Sequence, residues 1–147
     1  LMLHIPQPVV PLVRELGVVV TFTPVNERQN IIGNNPKDFT IKNLMPHPLT
    51  AGLDSFNVYG VWGVMNLNEN AAVLAAASPK SWVDMNKDKA LGDGDGVYPY
   101  GVAVTGKIGK GEFVVFGDDA IFQNQFLTGP NRKLGANLAR WLINGVE

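Results

Sequence analysis

Short apolar runs broken by Gly, Pro and Asn dominate the chain, and only one long stretch repeats at helical period. Residues 1–5, "LMLHI", are apolar and predict a short buried strand. Prolines then open "PQPVVPLVREL", where Val9, Val10, Leu12, Val13 and Leu16 supply one apolar face and predict a proline-rich turn and a short helix. Gly17 stops that helix, and "VVVTF" is a β-branched run suited to a buried strand, so the order reads as a βαβ-like start. Residues 23–37, "TPVNERQNIIGNNPK", carry Pro, Asn and Gly throughout and predict a long loop.

"HPLTAGLDSF", residues 47–56, predicts one helical turn leading into the strand "FNVYGVWGVM". "AAVLAAA", residues 71–77, has no diagnostic period, and its position predicts a buried strand. After a polar, Asp-rich segment, "VYPYGVAVTGKIGKGEFVVFGD" places two β-rich runs around Gly109-Lys110-Gly111, a hairpin signal. The clearest helix comes last. Asn131 is its expected N-cap, Leu134, Leu138, Trp141 and Leu142 its buried stripe, and Gly145 its end.

The 147 residues suit one domain, 46% hydrophobic and 17% charged, with ample material for a core. A net charge of −1 with scattered Lys and Arg lacks the basic field that nucleic acid requires. No apolar run reaches the roughly 18 to 20 residues that cross a bilayer, and no charged leader precedes an apolar segment, so membrane insertion and targeting by this segment are not expected. The chain opens at Leu1 inside an apolar run, which suggests that an upstream portion has been removed. The absence of cysteine excludes disulfides, thiolate metal sites and cysteine nucleophiles. Together with many Asn and Gly residues it leans toward an extracytoplasmic or cell-surface setting.

Three stretches in order resemble one family. "HPLTAGLDSF" is similar to the His-Pro-(Leu/Ile)-Thr-x-Gly-(Leu/Ile) signature of class I glutamine amidotransferase-like domains, including the ThuA-like proteins and the gliding-motility and intraflagellar-transport-associated group. "YPYGVAVTGKIGKGEFVVFGDDAIFQNQFL" resembles their terminal hairpin, and "NRKLGANLARWL" the helix that follows. The resemblance implies an α/β, flavodoxin-like three-layer sandwich with a mixed sheet, a C-terminal antiparallel hairpin and a final helix. Residues 1–147 would be one such domain or its C-terminal portion, partnered by another protein or by the missing N-terminal half. In the glutaminases of that superfamily a cysteine attacks the amide with help from a histidine just after the terminal hairpin. Here there is no cysteine, and Asp118 stands at the position resembling the histidine's. The resemblance therefore implies a non-catalytic ligand- or protein-binding module.

Several residues carry candidate chemistry. Asp118 and Asp119 follow a strand, where open α/β sheets place ligands, and with Asn124 and His47 they form the candidate ligand-binding set. The structural reading is that one carboxylate caps "AIFQNQF" while the other is solvated. His47, between two prolines, is either an acid-base group or the fixed point of a turn, and His4 is expected as a core or edge residue. A carbohydrate-active hydrolase or isomerase using Asp118 and His47 is one alternative, with Trp62, Trp82, Tyr59, Tyr98 and Tyr100 as a platform for a carbohydrate partner. A calcium-stabilised extracellular domain is another. Asp84, Asn86, Asp88 and Asp95 fall at positions 1, 3, 5 and 12 of a calcium loop, with Asp93 beside them, yet Lys89 occupies the glycine position. The default for that loop is a solvated surface with no cofactor.

Overall fold

The structure, a computed structural model, describes residues 1–145. In chain order it contains α1 (Val10–Glu15), β1 (Val18–Asn26), β2 (Ile31–Ile32), β3 (Asn35–Ile41), β4 (Asn43–Leu44), β5 (Phe56–Tyr59), β6 (Trp62–Asn66), β7 (Ala71–Ala76), β8 (Trp82–Val83), β9 (Gly96–Val97), β10 (Gly101–Ile108), β11 (Gly111–Phe116) and α2 (Gly129–Asn144). Short 3-10 turns lie at Gln7–Val9, Pro48–Thr50 and Ala120–Phe122. The fold is α/β with three sheets, ordered β11-β10-β7-β4, β6-β1-β8-β9 and β2-β3-β5. Every pairing between these strands is antiparallel.

The first of these sheets is apolar on both faces, because successive side chains of a strand point to opposite sides. Val114 and Phe116 of β11 join a cluster containing Phe39, Phe56, Leu74, Leu134 and Leu138. Val115, one residue between them, joins a second cluster with Leu3, Val13, Val18 and Val64. α2 thus contributes to the first core and α1 and β6 to the second, while β1 reaches both, through Val25 and Val18. The hairpin of β10 and β11 closes on Ile108 opposite Gly111, as its glycines predict, with Gly109 at φ 58°. The buried strand expected from "AAVLAAA" is β7.

The start of the chain departs from expectation. No βαβ unit forms, since β1 pairs antiparallel with β6 and β8. Residues 1–5 make only an isolated parallel bridge, from Met2 to Phe116. There Phe116 N donates to Leu1 O at 2.9 Å and Leu3 N donates to Phe116 O at 3.0 Å. Leu3 alone of these five residues is buried, and the His4 side chain is 76% exposed, so His4 is not a core residue.

Residues 23–37 are not a loop. β1 continues through Pro24, which sits at a register shift where its missing N–H is tolerated. β2 and β3 then form a hairpin, with Ile32 opposite Asn35. Gly33 and Asn34 between them take φ of 60° and 62°, the backbone that a two-residue primed turn needs.

The N-cap of the last helix lies three residues earlier than expected. Thr128 is the N-cap and Asn131 lies inside the helix, buried. Asn131 Oδ1 accepts from Asn57 N at 2.8 Å, and its Nδ2 donates to Asn57 O at 3.0 Å. This two-way clasp ties α2 to β5. Asn131→Ala would strand a buried donor and acceptor and should cost about 2 kcal/mol, read from the midpoint of urea unfolding. Leu134 and Leu138 are buried as expected, whereas Leu142 is 55% exposed because the final turn extends past the core; Gly145 ends the helix.

Candidate functional site

β11 delivers the chain to Gly117 and Asp118, and Asp118 turns inward to 3% exposure. Its Oδ2 accepts from Tyr59 N at 2.7 Å and its Oδ1 from Ala120 N at 2.8 Å. The carboxylate therefore joins the end of β5 to the start of the Ala120–Phe122 turn. Burial pushes its pKa up to about 6, against the two amide donors, which lower it, while the Asp119 and Asp38 carboxylates add to the rise.

Protonation of Asp118 is therefore coupled to folding. Between the ordinary value near 3.8 and about 6 the folded state binds more protons than the unfolded chain. The contribution of Asp118 to stability is thus full below about pH 4 and is lost as pH rises through about 6, on the order of 3 kcal/mol in all. Chemical denaturation across this range, compared between parent and Asp118→Asn, measures the contribution. The substitution should flatten the slope.

Asp119 is partly exposed, and its Oδ1 lies 3.2 Å from His4 Nδ1 at the surface. Asn124 is exposed in the turn beyond, and neighbouring Phe126 stacks on Tyr59 with ring centroids 3.9 Å apart. His47 belongs to a different region. It caps the Pro48–Thr50 turn, its Nδ1 accepting from Leu49 N at 3.2 Å, and its ring tilts toward Trp141 at 6.0 Å. Burial holds its pKa below the ordinary value, partly offset by Glu112. Asp118 and Asp119 adjoin, but Asp118 and His47 share no hydrogen-bond partner and are held by different elements.

The loop at residues 84–95 folds around its own acidic side chains. Asp84 accepts from Lys87 N and Lys89 N, Asn86 Oδ1 from Asp88 N, Asp88 Oδ1 from Ala90 N, and Asp95 from Met85 N and Gly92 N. Among the described residues Asp93 makes no such bond. Among the described residues no three His, Asp or Glu side chains converge as a metal-holding group. The aromatic residues likewise have separate partners: Trp62 Nε1 donates to His4 O, Tyr100 donates to Gly96 O, and Tyr98 meets Tyr100 edge-on. They do not assemble one platform.

Two polar nodes escape sequence reasoning. Glu27 is 2% exposed and accepts from Arg28 N, Gln29 N, Ser78 N and Ser78 Oγ. Asn137 of α2 donates to Leu49 O and Ala51 O at 2.9 and 3.0 Å. Only the presence of Glu and Asn in otherwise apolar or turn-rich surroundings could have flagged them.

No family model and no curated protein matches the chain. Solved structures do. A structure described as the mmIFT52 N-terminal domain superposes with a TM-score of 0.70 at 15% identity over 96% of this chain. A ThuA-like protein from Bacteroides uniformis gives 0.50 at 20% identity over 95%. The chain spans 62% and 52% of those two chains, respectively. Such similarity shows a shared fold. Among the described residues no helix is long and apolar enough to cross a membrane.

Proposed function

We propose that the chain is a non-catalytic, protein-binding module on an amidotransferase-like fold, acting within a larger protein or assembly. The carrying observation is the commitment of Asp118. At the position resembling the family's catalytic histidine, both carboxylate oxygens are engaged by backbone N–H groups and the side chain is buried. A group spent on joining two elements is not offered to a substrate. The fold likeness to the mmIFT52 N-terminal domain supports an assembly role, and the ThuA-like neighbour supports the family reading.

The raised pKa of Asp118 favours the competing reading, since a carboxyl near 6 suits acid-base work on a sugar. One experiment separates the two. Glutamine and aryl glycosides are offered to the parent and to Asp118→Asn, with folding monitored by circular dichroism. The module reading expects no turnover from either protein. Turnover by the parent that disappears in the folded variant would overturn it.

A further inference from the structure

A cleft that neither Asp118 nor Asp119 lines has the features of a ligand site. It measures about 370 Å³ and lies where the end of β1, the start of β3, β8 and the loop after β8 meet. Asn26 and Trp82 form its inner wall as directly opposed residues of β1 and β8, so their side chains share a face. Each is only 6% exposed. Neither the Asn26 amide nor the Trp82 indole N–H has a hydrogen-bond partner among the described residues. Since no fully buried side-chain N or O lacks a partner there, these groups keep access to solvent through the cleft.

The rest of the lining indicates what would satisfy them. Pro24 and Pro36 contribute apolar surface without an N–H, beside the indole. Lys37, Lys87 and Lys89 line the rim, and none of the three lies within ion-pair distance of a carboxylate among the described residues. Asp84 is the one carboxylate in the lining, and both its oxygens already accept the Lys87 and Lys89 backbone N–H groups. Donors deep in the cleft, a flat apolar wall and unpaired cations at its mouth are complementary to one ligand class. We propose that this cleft binds a small organic anion, a carboxylate or phosphate ester carried on a flat apolar body.

The inference is independent of the protein-binding reading, and each can fail alone. Phenyl phosphate serves as probe against protein labelled with ¹⁵N at tryptophan, with benzyl alcohol and benzylamine as neutral and cationic counterparts. Phenyl phosphate should shift the Trp82 indole resonance saturably at about millimolar concentration. The Trp62 resonance, whose Nε1 donates to His4 O, should stay in place. Trp82→Phe assigns the signal; should it not fold, Trp62→Phe and Trp141→Phe assign it by elimination. Replacing Lys37 and Lys87 together by Gln, both exposed, should weaken binding about tenfold without changing the melting temperature. An unmoved indole at about 50 mM phenyl phosphate, equal shifts from benzyl alcohol or benzylamine, or undiminished binding by the lysine variant would each overturn the proposal.

Discussion

Gly117→Ala should destabilise the protein by more than about 4 kcal/mol, enough to leave little folded material. Gly117 N donates to Val102 O at 2.9 Å, and Gly117 O accepts from Trp62 N at 2.8 Å. The residue is pinned between β10 and β6. A Cβ placed there would collide with the Trp62 carbonyl and press on Val61 Cγ2, and backbone held on both sides cannot yield as a flexible side chain would. Relief requires parting the strands and giving up the Trp62 bond. Gly111→Ala is the control, since its Cβ would meet only Ile108 O at 3.4 Å. Urea unfolding of both variants gives the comparison; a Gly117→Ala protein within about 1 kcal/mol of the parent would refute the close approach.

The same glycine shows where sequence reading succeeded and where it stopped. The β10–β11 hairpin was legible because its turn chemistry and its strands are adjacent in the chain, and β7 because an apolar run between polar flanks has few other places to go. The close contact of Gly117 with Trp62 joins residues 55 positions apart, and no local pattern announces it. Residues 23–37 misled because Pro, Gly and Asn signal turns without distinguishing a loop from a tight hairpin. Asn131 misled in the opposite way. Asn before an apolar helix is a fair N-cap expectation, but a long-range clasp to Asn57 claimed the side chain instead.

At the candidate site the adjacency of Asp118 and Asp119 was visible, and their opposite orientation was not. One is buried against Tyr59 N and Ala120 N, and the other faces His4 at the surface. The cleft at Asn26 and Trp82 was invisible for a related reason. Its walls come from four elements, and its signal is the absence of a partner, which only packed neighbours can reveal.

Glu27→Ala should cost about 4 kcal/mol. The carboxylate collects four donors: Arg28 N at 2.7 Å, Gln29 N at 3.1 Å, Ser78 N at 2.9 Å and Ser78 Oγ at 2.7 Å. These bonds close the end of β1 onto the chain leaving β7, so one side chain staples two sheets. Hydrogen bonds to a charged group are worth about 1.5 to 3 kcal/mol each, and water entering beside exposed Arg28 and Gln29 would recover part of that sum. Glu27→Gln separates charge and acceptor number from packing. It keeps the shape but turns an NH₂ toward donors that need an acceptor, so about half the loss should remain. Because the staple lies between sheets and not within either, hydrogen exchange should quicken at Ser78 N and Gln29 N, while the β10–β11 ladder stays protected. A Gln variant as stable as the parent would refute a contribution from the carboxylate's charge and second acceptor oxygen.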